Sequence, residues 1–183
     1  MTVEKINFLL ALGTVALQVG SVFLLILYIF RKKISFYNNL LELATPFALP
    51  KLFFITLLAT SMSLYYSEVL GFAPCGLCWL QRVFLYPQVI LFAVAWLTED
   101  FKVYTYSIVL SVCGAIIAFY QHLLQMGRNP LFPCPTSGLA ADCATRTLFE
   151  FHYITFPLMA LSIFAWLIVV MLFIRDISLR KQV

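Results

Sequence analysis

Charge is what this sequence has least of. Asp, Glu, Lys and Arg make up 11% of its 183 residues, while hydrophobic residues make up 63%; an ordinary soluble domain carries about 25% charged residues. A soluble chain of this length needs far more polar surface to cover its core, so a soluble globular domain is excluded. The net charge of +4 is small, and the basic residues sit in short clusters between apolar runs rather than on one face, which excludes a nucleic-acid partner. The first, second and fifth apolar runs offer no relay of acidic or basic residues, so nothing in the sequence marks a transport route.

What the sequence has in place of charge is five apolar runs. Ile6 to Phe30 is uncharged, Leu52 to Leu70 carries only Glu68, and Cys78 to Leu97 carries only Arg82. Val103 to Gly127 contains just His122, and Phe151 to Ile174 just His152. At 1.5 Å per residue each is long enough, or nearly so, to cross a hydrocarbon core of ~30 Å. The reading is an all-α membrane protein with five transmembrane helices. The first run is not a signal peptide: its 25 residues exceed the usual ~7–15 of a signal's apolar region. No small-residue cleavage site follows it, and Arg31-Lys32-Lys33 flanks it as a stop-transfer segment would.

Lys and Arg set the expected orientation. One side holds Arg31, Lys32, Lys33, Lys51, Lys102, Arg175, Arg180 and Lys181; the other holds Lys5, Arg82, Arg128 and Arg146. The richer side is read as cytoplasmic, which puts the N-terminus outside and the C-terminus in the cytoplasm of a multi-pass protein of the inner or plasma membrane.

Four of the five cysteines fall in connections between spans. Cys75 and Cys78 lie where the second connection meets the third span, and Cys134 and Cys143 lie between the fourth and fifth spans. Two crossings separate these places, so both pairs share one side whichever way the protein sits. The charge count puts that side outside, where disulfides persist. Cys113, in the middle of an apolar span, reads as a small hydrophobe.

Pro74 cannot extend a helix backwards with a normal hydrogen bond but is tolerated at or just before a helix start, so Cys75 and Cys78 should lie on the first turn of the third helix. The free N–H groups and positive dipole end there favour a thiolate, and a spacing of three brings the two sulfurs to one face. A zinc cage is an alternative, but C-x-x-C followed by C-x(8)-C is an odd extracytoplasmic ligand set. Purely structural bridges are another, yet closing so short a loop would stabilise little beyond the loop itself. Redox chemistry is the favoured reading. Arg82, four residues after Cys78, lies one turn further in on the same face, where it could stabilise a Cys78 thiolate and bind an oxygen acceptor, or simply snorkel to headgroups. Trp79 and Tyr86 could line a flat slot, or belong to an interfacial aromatic belt.

The segment Cys75-Gly-Leu-Cys78-Trp-Leu-Gln-Arg82 resembles the C-x-x-C-x-x-x-R segment of the disulfide bond formation protein B (DsbB) family. Tyr120-Gln-His122, the second cysteine pair, and the Phe151-His-Tyr-Ile-Thr-Phe-Pro157 entry to the last span agree with it, over roughly residues 50–175. The resemblance implies a four-helix redox domain over residues 51–183, with residues 1–50 as an extra N-terminal helix and cytoplasmic loop. It implies a relay that reoxidises a secreted, DsbA-like thioredoxin-fold dithiol oxidase and passes the electrons to ubiquinone or menaquinone. By position, a Cys134–Cys143 disulfide would meet the partner at Cys134, Cys143 would attack Cys75, and Cys78 would form the thiolate that faces quinone, supported by Arg82, His122 and Trp79. No metal is implied. Two rivals stand beside this reading. In a vitamin K epoxide reductase-like oxidoreductase the loop pair precedes the C-x-x-C, whereas here it follows. The other rival is a non-catalytic membrane protein with structural disulfides.

Overall fold

An apolar run in lipid must satisfy its own backbone hydrogen bonds, and an uninterrupted helix does so within one segment. The computed structural model describes residues 3–31, 33, 37–129, 134 and 142–180. Five helices carry the chain: α1 (Val3–Ile29), α2 (Tyr37–Leu64), α3 (Gly76–Thr98), α4 (Tyr104–Gln125) and α5 (Phe156–Arg180). Each contains a segment long and apolar enough to cross a membrane. The protein is an all-α, multi-pass membrane protein.

Two element boundaries differ from the sequence reading. Residues 31–50 are expected as a loop, but α2 already begins at Tyr37 and runs through Pro46 and Pro50, so a division at residue 50 falls inside a helix. Leu, Glu and Ala in this stretch are strong helix formers, and each proline removes only one ladder bond. At the other end, the fifth span is expected from Phe151, but α5 starts at Phe156. Phe151 and His152 take positive φ values of 49° and 63°, forming a tight turn closed by a bridge between Glu150 and Ile154.

A π-helical turn, Tyr65–Val69, ends the second span. Such a turn shifts the register of the side chains that follow it. Ser63, just before it, faces Arg82 on α3, while Tyr66, within it, faces Asn7 on α1 and the ring of Phe156.

Helices α2, α3, α4 and α5 close a four-helix ring, and α1 lies outside it against α5. The α1–α5 seam is stitched along its length. Phe8 meets Phe151 near one end, Gln18 donates to Ser162 midway, and Arg31 pairs with Asp176 near the other end. These helices therefore run parallel. Odd-numbered helices start, and even-numbered ones end, at the face that carries the cysteines.

The ring's core is Leu52, Phe92, Ala118, Phe164, Leu167, Met171 and Ile174, each at most 1% exposed. Gly114 lets α4 approach α5 closely, since a Cβ there would lie 2.3 Å from the Phe164 ring. Between α3 and α4 runs a polar seam: Gln88 donates to Ser111 and to the Phe84 carbonyl, and Ser107 donates back to Gln88. Buried amides and hydroxyls of this kind link transmembrane helices at about 0.6–2 kcal/mol each.

Candidate redox site

The start of α3 is built around Cys75. It is the N-cap residue, extended at φ −76° and ψ 169°, and its sulfur accepts the backbone N–H of Cys78 at 3.3 Å. Sulfur thus replaces the oxygen that caps most helices. The turn brings the Sγ atoms of Cys75 and Cys78 within 2.8 Å of each other as thiols. The hydrogen bond to the Cys78 sulfur, and then burial, push the Cys75 thiol pKa well up.

Both sulfurs meet one side chain from α4. Gln121 Nε2 donates to Cys75 Sγ at 3.0 Å and to Cys78 Sγ at 3.3 Å. Gln121 Oε1 accepts a hydrogen bond from Gln81 Nε2 on α3. Gln121 and Gln81 are both buried.

The second pair closes on the first. Cys134 and Cys143 form a disulfide, with their Cα atoms 6.0 Å apart. Cys143 is 1% exposed and packs in one cluster with Cys75, Leu77 and Leu124, against which Cys78, Cys134, Ile117 and Tyr120 are placed. The chain after Cys143 is tied to the end of α4 from both directions: Gln125 Nε2 donates to the Thr145 carbonyl at 3.0 Å, and Arg146 Nε donates to the Gln125 carbonyl. Cys134 is only partly buried.

Arg82 is buried at 8% exposure, but its hydrogen bonds run to α2. Nε donates to Ser63 Oγ at 3.0 Å and one terminal nitrogen to the Ser63 carbonyl at 2.9 Å, while Tyr86 also donates to Ser63 Oγ. The guanidinium carbon lies 5.1 Å from the Trp79 ring centre and 6.0 Å from that of Tyr86. The remaining nitrogen, Nη1, is buried and has no hydrogen-bond partner among the described residues. Trp79 is 55% exposed on the outer side of α3.

His122 is not gathered into the sulfur cluster. It follows Gln121 by one residue, a rotation of about 100° on a helix, and its Nδ1 lies 2.9 Å from Thr155 Oγ1 at the entry to α5. Cys113 is a free thiol lower on α4, eight residues and about 12 Å before Gln121.

Sequence reasoning passes over Gln81, Gln121, Gln125, Ser63 and Thr155. A signal for the glutamines exists: they are amides within otherwise apolar spans, where polar side chains turn to the protein interior. Gln121 and Gln125 are also four apart, on one face of α4.

A helix-start dithiol packed against a loop disulfide, in a membrane-embedded helical bundle, defines the class as membrane disulfide-forming proteins. Residues 45–175 match the family described as Disulfide bond formation protein DsbB, and the chain belongs to that family. The match leaves α1 outside it. The chain is 39% identical over 122 residues to a "Probable disulfide formation protein" of Metapseudomonas resinovorans, covering 66% of this chain and 82% of that one. It is 39% identical over 114 residues to the SPbeta prophage-derived disulfide bond formation protein B of Bacillus subtilis, covering 62% and 76%. It is 34% identical over 123 residues to disulfide bond formation protein C of the same organism, covering 66% and 87%. No solved structure matches the chain significantly.

Proposed function

We propose that this membrane disulfide-forming protein oxidises the dithiol of a secreted, thioredoxin-fold oxidase outside the cytoplasm and delivers the electrons to a membrane quinone. The observation that carries this reading is that Cys143 lies in one buried cluster with Cys75, with Cys78 packed against that cluster. Two structural bridges have no need to share a cluster, whereas exchange between them requires it.

The exposures order the steps. A partner thiolate reaches Cys134, because Cys143 is covered. Its attack breaks the Cys134–Cys143 bond, forms a mixed disulfide at Cys134, and releases Cys143 as a thiolate. Cys143 attacks Cys75 of an oxidised Cys75–Cys78 pair and releases Cys78 as a thiolate. The partner's second thiol then leaves with its own disulfide formed, and the freed Cys134 thiolate attacks Cys143, restoring the loop bridge and leaving Cys75 and Cys78 reduced. To this point one partner dithiol is oxidised and the Cys75–Cys78 disulfide is reduced; a two-electron acceptor would then take two electrons and two protons from the pair, and the Cys75–Cys78 bond would form again.

Quinone supplies the two-electron acceptor. The residues present fit a flat, carbonyl-bearing molecule: Arg82 Nη1 is a buried donor without a partner among the described residues, beside the rings of Trp79 and Tyr86. Leaving such a donor unpaired costs about 1–3 kcal/mol, which a ligand oxygen would recover. By the family resemblance His122, whose Nδ1 lies 2.9 Å from Thr155 Oγ1, would serve the same acceptor. The excess of Lys and Arg at the opposite face supports an extracytoplasmic placement of the cysteines.

The test is quinone absorbance in purified protein mixed with a reduced thioredoxin-fold partner and ubiquinone or menaquinone. Wild type should turn over, and Cys78→Ser should fall to background. Undiminished turnover in Cys78→Ser would sink the electron path.

A further inference from the structure

We infer that the Gln121 carboxamide is a catalytic group of the dithiol, bridging both sulfurs to stabilise the thiolate that exchange leaves on each of them, with Gln81 as the residue that positions it. The inference rests on the exchange reaction proposed above.

Exchange leaves negative charge on each sulfur of the pair in turn. Attack of the Cys143 thiolate on Cys75 expels Cys78 as a thiolate, and the later attack of Cys134 on Cys143 releases Cys75 as one. Around the sulfurs Leu77, Leu124 and Ile117 offer no polar side-chain atoms and Tyr120 adds a ring and a hydroxyl, and an ion in so apolar a setting needs a hydrogen-bond donor. Neither other donor spans the pair. Arg82 is held on Ser63 through Nε and one terminal nitrogen, with Nη1 assigned above to the acceptor, and the Cys78 N–H is directed to the Cys75 sulfur alone. Gln121 Nε2 is the side-chain donor within reach of both sulfurs among the described residues, at 3.0 and 3.3 Å. A preorganised donor at a site of changing charge needs no rearrangement when the charge arrives. When Cys78 carries a proton instead, Oε1 lies 3.8 Å away as a weak acceptor, so the amide serves both states.

An amide can present either edge, and only the nitrogen edge stabilises a thiolate. Gln81 decides the edge. Its Nε2 donates to Gln121 Oε1, which keeps the nitrogen as the edge nearer both sulfurs. A merely structural role, linking α3 to α4, would predict loss of stability with no change in sulfur reactivity.

The experiment uses the full-length reduced protein in detergent, with neither quinone nor partner, and reads the rate of Cys78 alkylation by iodoacetamide at neutral pH, resolved by peptide mass spectrometry. A hydrogen bond to a charged group implies a slowing of roughly tenfold or more in Gln121→Leu. The isosteric Gln121→Glu should slow it as well, since a carboxylate has no donor. Gln81→Leu should slow it by about threefold, but add nothing once Gln121 is Leu, because coupled residues are non-additive. Should Gln121→Leu fail to fold, Gln81→Leu carries the test, since it leaves the Gln121 side chain itself beside the sulfurs and removes only the bond that orients it. Rates within about twofold of wild type in these variants, with only the melting temperature lowered, would overturn the inference. Because no quinone is present, a failure of quinone reduction in wild type counts against the proposed function and leaves this measurement to be judged separately.

Discussion

The two cysteine pairs differ in what holds them. Cys75 and Cys78 are placed by a helix: a proline-led start, a sulfur cap and an amide from the neighbouring helix. Cys134 and Cys143 belong to a connection, and the chain after Cys143 is anchored to the end of α4 through Gln125. One pair has its surroundings built before any partner arrives. The other presents a partly buried sulfur to the outside and keeps its mate covered. A relay needs both arrangements, since the first pair must stabilise charge in an apolar place and the second must admit a foreign thiolate.

The largest effect expected from this contrast is all-or-none. A partner with a single thiol, mixed with the oxidised protein, should form its mixed disulfide at Cys134, as read by peptide mapping. Linkage at Cys143 would erase the distinction between an exposed and a covered sulfur. Next in size is the anchor. Gln125→Ala removes the donor to the Thr145 carbonyl and frees the Cys143 arm; partner-dependent turnover should fall by about tenfold, as for one lost buried hydrogen bond that orients a reacting group. The alkylation rate of reduced Cys78 should stay the same, because Gln125 touches only the second pair's connection. A change in both would mean that the two settings are not separable.

The smallest effect tests the frame around the first pair. Gly114→Ala puts a methyl group 2.3 Å from the buried Phe164 ring, which should cost about 1–3 kcal/mol of stability through overpacking. Gly20→Ala meets the edge of Trp166 at 2.7 Å on the outer seam between α1 and α5. Trp166 is only partly buried and can give way, so this change should cost under about 1 kcal/mol. Thermal unfolding in detergent would rank them. The reverse order would mean that α1 is as much a part of the core as α4 is.

Much of the molecule is legible without coordinates. Low charge and five long apolar runs lead to the membrane class, and Pro74 with the cysteine spacing leads to a helix-start dithiol at Cys75. The misplaced boundaries have local causes. Pro46 and Pro50 suggest a loop where a helix continues, and the apolar residues Phe151 to Phe156 conceal a turn that depends on positive φ. Arg82 is read from spacing as lying one turn beyond Cys78, and its hydrogen bonds go to Ser63, which no spacing rule points to.

The sequence by itself determined the membrane embedding, the number of spans and, through the parity of crossings, that both cysteine pairs lie at one face. These depend on composition and on distance along the chain, which are local quantities. Only the tertiary structure decided that Cys143 packs on Cys75, that Gln121 bridges two sulfurs, one of them 46 residues before it, and that α1 docks on α5. Those contacts depend on how each helix is rotated about its axis and how closely it approaches its neighbour. Side-chain volumes such as Gly114 against Phe164 set both, and no single stretch of sequence contains them.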